Sequence, residues 1–258
     1  VFIMADCKPI QSVVRASQII DCFSESRPEL GLADFCSLLS LNKSTIYGIV
    51  KTLEHEKYLI YNPSSRKYRL GIKFVTKGLY AITALNTVSI VSPYLMKLNT
   101  KYQETANFVL YENETLYCIY ALGSSFLTSM KTEIGSELPL LASASGKAVL
   151  ATMDDDTVCS FIAGKPFLMY TPHSVQTKDA LLEQLKTIRQ CGYAIENEEI
   201  DLGIQSISVA IRNSEKVIGT ISLTGPVNHM KQIHDELTTD IMICGKKISS
   251  TLGCTLPG

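Results

Sequence analysis

Between Leu30 and Gly71 two short apolar stripes stand so close in the chain that only a steep crossing of two helices can bury both. Leu32, Phe35, Cys36 and Leu39 recur at i, i+3, i+4 and i+7, along one side of a 3.6-residue period. Ile46, Ile49, Val50 and Leu53 repeat the spacing. Only Ser40, Leu41 and Asn42 separate the two stripes, with Asn42 or Ser44 able to cap the second helix. The arrangement this predicts is a helix-turn-helix, whose second helix lies in the major groove of DNA. Once its stripe is buried, that helix leaves Lys43, Ser44, Tyr47 and Lys51 outside, with Gly48 among them. These are residue types that hold phosphate or read base edges.

A polar helix face by itself is more often plain solvated surface. Here it is followed by Tyr58-Leu59-Ile60-Tyr61, a turn signal at Asn62-Pro63-Ser64-Ser65, and Arg66-Lys67-Tyr68-Arg69-Leu70, together a hairpin with a basic tip. A recognition helix running straight into a basic hairpin is a winged helix. The charge distribution agrees: residues 1–80 hold 11 Lys+Arg against 7 Asp+Glu, and the rest of the chain 13 against 18. A net charge of −1 therefore hides a basic head on an acidic body, as expected if only the head faces phosphate.

The 258 residues are enough for two modest domains, and 46% hydrophobic with 19% charged residues is ordinary for a globular chain. No apolar run approaches the ~18 residues needed to span a bilayer, so a cytoplasmic protein without membrane contact is expected. Eight cysteines form no CxxC pair and no zinc-ligand spacing with histidine, which predicts reduced, buried thiols.

Along the chain, residues 12–23 read as a helix with Val13, Ala16, Ile20 and Phe23 inward. Residues 72–85 read as another, with Val75, Leu79 and Ile82 on a stripe that suits either subunit contact or packing onto the next domain. Residues 88–102 are helical in pattern, with Pro93 tolerated only in the first turn. The period then becomes two, predicting strands at 105–111, 115–122 and 126–131, and later at 206–212 and 217–224. Helices are expected at 147–153, 154–162 and 177–191, and a single long one at 231–252. This is an α+β domain with a mostly antiparallel sheet flanked by helices.

The chain resembles the isocitrate-lyase-regulator (IclR) family of bacterial transcription factors. The likeness is carried by Lys43-Ser44-Thr45-Ile46-Tyr47, Leu53-Glu54, Tyr58-Leu59 and Tyr68-Arg69-Leu70-Gly71, then by Ala144-Ser145-Gly146-Lys147-Ala148, Arg189-Gln190-Cys191-Gly192-Tyr193, Glu198-Glu199 with Gly203, and Thr224-Gly225-Pro226. It implies a winged helix-turn-helix at residues 8–71, a linker helix at 72–86 that pairs subunits, and a GAF-like effector-binding domain at 87–258. The partners implied are double-stranded operator DNA, a small organic acid effector, and a second copy or three more in a homodimer or tetramer. Operator contact falls to Lys43, Ser44, Thr45, Tyr47, Gly48 and Lys51, and to Arg66, Lys67 and Arg69 of the wing. The effector contacts implied are Ala144, Ser145, Glu196, Ser206, Ser222 and Thr224, with an apolar wall at Leu127, Met130 and Leu138. The sequence departs from the family at Gly48, where Arg is common, so one cationic contact is missing.

Independently of the likeness, the small residues at 142–146 offer backbone N–H groups to an anion where the next helix begins, and Ser222 and Thr224 point to one side of a strand. Solvated sheet face or satisfied core hydroxyls are the competing reading of the latter. The Ala-Ser-Gly-Lys-Ala run is not a phosphate loop: Leu141 stands where the first glycine belongs, and Ala148 where Ser or Thr belongs. No GxSxG, HExxH or CxxC is present, and His229 and His234, five apart, are a poor metal pair that reads as surface histidine. No enzyme activity, cofactor or metal is expected. A metabolite sensor acting through protein partners instead of DNA is the alternative.

Overall fold

In the computed structural model, residues 8–24, 26–84, 86–124 and 133–254 are described. The expected strand at 126–131, with Leu127 and Met130, lies outside them. The chain divides into two compact units, Val1–Ala84 and Leu85–Gly258.

The first unit opens with α1 (Gln11–Asp21), α2 (Leu32–Leu39) and α3 (Lys43–His55), followed by the hairpin β1 (Leu59–Asn62) and β2 (Lys67–Leu70). Its core is Ile19, Cys22, Leu30, Phe35, Ile46, Val50, Leu59 and Tyr68, with Leu32, Cys36, Leu39, Ile49 and Leu53 packed against it. Both stripes of the helix pair are thus buried as their spacing predicts. In α1 the stripe is turned: Ile19 and Cys22 are buried, and Val13 is 63% exposed. Full burial in α1 is confined to its C-terminal half, and of the two valines in its first turn Val14 is half-buried while Val13 is left uncovered. Leu30 bonds Tyr68 through both backbone groups, a single β-bridge that ties the segment before α2 to the wing.

The unit closes with α4 (Lys73–Ala84), anchored where Phe74 meets the Tyr58 ring edge-on and Lys73 Nζ sits 4.2 Å from that ring's centre. Beyond the anchor, Val75 and Tyr80 are 55% and 65% exposed. Among the described residues no single helix is long and apolar enough to cross a membrane.

The second unit holds a five-stranded antiparallel sheet in the order β4-β3-β7-β6-β5, built from β3 (Thr105–Glu112), β4 (Thr115–Leu122), β5 (Ala194–Asn197), β6 (Ile204–Arg212) and β7 (Val217–Pro226). Alternation divides its faces. Ala106, Phe108, Ile207, Val209, Ile211, Ile221 and Leu223 form a core with α5 (Thr87–Tyr102) and α10 (His234–Thr251). The opposite face carries α6 (Ala144–Leu150), backed by α8 (Lys178–Cys191) and α7 (Asp155–Ile162) through Leu150, Val158, Leu181 and Leu185.

Three expectations are corrected here, and one strand is added. Pro93 lies in the second turn of α5, not the first, so one intrahelical bond is forgone while Val91, Leu95 and Leu98 keep the helix on the sheet. The expected single helix at 231–252 is two, α9 (Val227–Gln232) and α10, broken at Ile233. β5 is a strand the sequence did not disclose. Of the seven described cysteines, only Cys22 and Cys118 are buried, the other five half-buried, and all are free thiols.

Candidate functional site

The outer face of α3 presents Lys43, Ser44, Tyr47 and Gly48 to solvent, with Tyr47 50% exposed. Asn42 is the cap: its Oδ1 accepts from Thr45 N at 2.9 Å and from Ser44 Oγ at 3.0 Å, so the Ser44 hydroxyl is turned toward the cap rather than outward. Lys51 is not a free cation either. Its Nζ lies 2.7 Å from Glu54 Oε2 and 5.5 Å from the centre of the Tyr61 ring. A Cβ at Gly48 would meet nothing within 4 Å, so no packing requires glycine there. In the wing, Lys67 and Arg69 are exposed while Tyr68 between them is buried, and Arg66 sits at φ 55° in the turn.

In the second unit a cavity of about 330 Å³ opens between the polar face of the sheet and the start of α6. All seven described residues expected of an effector site line it: Leu138, Ala144, Ser145, Glu196, Ser206, Ser222 and Thr224. The elements explain the convergence. Glu196 of β5 pairs with Ser206, which pairs with Thr224, which pairs with Thr105. One register step away, Ser208, Ser222 and Asn107 form the next row. Onto these rows comes α6, capped by Ser143, whose Oγ accepts from Gly146 N at 3.0 Å. The helix therefore starts at Ala144, earlier than the expected 147, which leaves the N–H groups of Ala144 and Ser145 as its first two, without an intrahelical acceptor. A Cβ at Gly146 would collide with the Leu140 backbone, so glycine is what lets the 139–140 segment close over the helix.

The hydroxyls are engaged with one another. Ser145 Oγ lies 3.0 Å from Ser222 Oγ, Ser222 donates to Ser208 Oγ at 3.0 Å, Ser208 donates to Ile221 O at 3.2 Å, and Ser206 and Thr224 meet at 2.9 Å. Glu196 is 2% exposed, and burial pushes its carboxyl up, opposed by the N–H groups of Ile200 and Glu199 that donate to Oε1 at 3.1 and 2.6 Å. Behind α6, Lys147 is fully buried, held by Glu199 Oε1 at 2.6 Å and Gln184 Oε1 at 3.0 Å. Burial drives its ammonium down and Glu199 opposes the shift.

Three more acids line the cavity, Glu133, Glu137 and Asp201, and among its described lining residues there is no Lys, Arg or His. The sequence reading missed these, as well as Asn107. Asn107 had a signal, since it falls two residues after Thr105 in a run whose other members are apolar. His229 is no plain surface residue: its Nδ1 is 2.6 Å from Glu104 Oε1, on a carboxylate that is fully buried. His234 is on the next helix, with Nε2 3.2 Å from the Tyr193 hydroxyl. Among the described residues no three His, Cys, Asp or Glu side chains gather as a metal would need.

A winged helix joined to an antiparallel sheet that bears a cavity on one face is the architecture of a DNA-binding transcription regulator. Family comparison gives the particular kind. Residues 79–250 match the model for the bacterial transcriptional regulator IclR C-terminal domain, and residues 12–63 that for the IclR helix-turn-helix domain. The chain belongs to the IclR family of bacterial transcription regulators. It is 31% identical over 216 residues to the HTH-type transcriptional regulator XynR of Escherichia coli K12, covering 83% of this chain and 86% of that one. It is 29% identical over 251 residues to the DNA-binding transcriptional repressor YiaJ of the same organism, covering 95% and 89%. Its fold matches a crystal structure of a regulator from Alicyclobacillus acidocaldarius with a TM-score of 0.84 at 22% identity, over 95% of this chain and all of that one. An IclR homolog from Microbacterium hydrocarbonoxydans, complexed with 4-hydroxybenzoate, gives a TM-score of 0.80 at 20% identity, over 93% and 99%. These relatives and families are transcription regulators, not enzymes.

Proposed function

We propose that this regulator reads operator DNA as a homodimer or tetramer and is controlled by a small hydroxylated organic acid held in the sheet cavity. The observation that carries the proposal is the cavity, where two unfilled amides, a row of hydroxyls and one buried carboxylate converge. The Ala144 and Ser145 N–H groups suit a ligand carboxylate. Glu196, Ser206, Ser222 and Thr224 suit ligand hydroxyls, with Leu138 as apolar wall. Glu196 disfavours a bare acid, because a second carboxylate beside it gains nothing unless the ligand also brings a donor. The 4-hydroxybenzoate in the Microbacterium homolog combines a carboxylate with a hydroxyl, which supports this class of ligand.

On the DNA side, Lys43, Ser44, Thr45, Tyr47, Gly48 and Lys51 would lie in the major groove and Arg66, Lys67 and Arg69 along the backbone or minor groove. Calorimetric titration of the full-length protein with hydroxylated and unhydroxylated acids tests the sensor half. Ser222→Ala, which leaves Ser145 and Ser208 short of a partner, should weaken the responsive acid by about 1–3 kcal/mol without changing duplex affinity in its absence. If Ser145→Ala and Ser222→Ala bind every responsive acid as tightly as the parent, the ligand sits elsewhere.

A further inference from the structure

We infer that Glu29 is a positioning residue for the wing, gripping its turn from outside the hairpin so that Arg66 and Lys67 are delivered to DNA in one orientation. Glu29 precedes Leu30, the residue whose backbone bridges to Tyr68 of the wing. Its two carboxylate oxygens reach both sides of the turn: Asn62 Nδ2, at the end of β1, donates to Oε1 at 3.2 Å, and Ser65 Oγ donates to Oε2 at 2.9 Å. The next residue, Arg66, is held at φ 55°, a left-handed conformation that a side-chain-bearing residue keeps only when its surroundings enforce it. The clamp therefore acts where the turn is least able to hold its own shape. Hydrogen bonds from Asn62 and Ser65, with Lys67 and Arg69 nearby, hold the Glu29 carboxyl below the usual carboxylate range, so it stays ionised at neutral pH.

An acidic residue beside a phosphate-facing hairpin should by charge alone oppose binding, and this makes the inference decidable. It rests on the reading that the wing touches DNA, which Arg66→Ala with Lys67→Ala tests separately. Affinity for a short mixed-sequence duplex at low salt is measured for the full-length protein, with thermal melting alongside. Glu29→Ala should bind roughly threefold to tenfold more weakly than the parent, the scale of one or two net hydrogen bonds, although a repelling charge has been removed. Glu29→Gln should bind as tightly as the parent or tighter, because its amide can accept from Asn62 and donate to the Ser65 hydroxyl. The Arg66 and Lys67 double change should lose less affinity in the Glu29→Ala background than in the parent.

Glu29→Ala binding as tightly as the parent or tighter overturns the clamp, as does a loss that is the same in both backgrounds and accompanied by a lower melting temperature. If Glu29→Ala does not fold, Ser65→Ala removes half the grip from an exposed turn and carries the same expectation. Unchanged affinity of the Arg66 and Lys67 double variant alone would remove the wing from the interface, and the inference with it.

Discussion

Glu196 is the residue at which burial and binding make opposite demands. Burial pushes its carboxyl above the ordinary 4.5, so the folded domain holds this proton more tightly than the unfolded chain does. The sign follows from linkage: Glu196 contributes stability fully below pH 4.5 and loses it as pH rises through the elevated value. Glu196→Gln keeps an acceptor for the Glu199 and Ile200 amides and removes the charge. The variant should therefore melt higher than the parent at pH 7, with the difference shrinking toward pH 4.5, and should bind a hydroxylated acid more weakly. Melting curves that are parallel across this range would show that Glu196 is not strained by its burial. Lys51 is the contrasting case, an ion pair with Glu54 at the surface. Such pairs contribute ~0–1 kcal/mol, so DNA phosphate can compete with Glu54 for it.

At the scale of elements, α3 is built with a gap in its own propensity. Gly48 faces open space, and Thr52 Oγ1 bonds its carbonyl at 2.8 Å. Gly48→Ala should stabilise the first unit by about 0.5–1 kcal/mol, read as a higher melting temperature. Gly48→Arg should add a phosphate contact, steepening the dependence of duplex affinity on log salt by about 0.9; an unchanged slope would mean that this face of α3 does not meet DNA. Elements with a long, regular period were legible in the sequence. The stripes of α2 and α3, the alternation of β3 and β4, and Leu181, Leu185 and Ile188 in α8 each repeat over enough residues to name a face. β5 was not legible because four residues give only two inward positions, Ala194 and Glu196, and one of those is charged. The break at Ile233 had no glycine or proline to announce it. Of the cavity, the small-residue start of α6 and the hydroxyl-bearing strand could be read, while Glu133, Glu137 and Asp201 could not, because only the fold brings those loops to the sheet. The Glu29 grip spans 36 residues to Ser65 and has no local signature at all.

The whole molecule carries its charge unevenly, and its exposed apolar surface is uneven too. At α4, Ile72 just before the helix is 70% exposed, and Val75 and Tyr80 follow on an element whose first turn is anchored to the wing base. A chain that reads two operator half-sites needs a second copy, and this helix is where we expect it. Val75→Asp should shift the molar mass in light scattering toward the monomer. It should also weaken binding to a two-half-site duplex far more than to a single half-site, because the second contact loses its effective concentration. An unchanged molar mass would place the subunit contact on another surface.

The floor of the cavity also has a direction. Ser208 gives its proton to the Ile221 carbonyl, so Ser222 must give its own to Ser208, and Ser145 in turn is left to give its proton to Ser222. A backbone carbonyl at one end thus orients every hydroxyl in the row, and what reaches the cavity from Ser145 is lone pairs. Glu196 likewise offers only lone pairs when ionised, while the amides of Ala144 and Ser145 offer only protons. Where α6 begins, amide protons of Ala144 and Ser145 therefore stand beside hydroxyl lone pairs of Ser145, and a molecule that enters the cavity can be read there by which of its groups give hydrogen and which receive it.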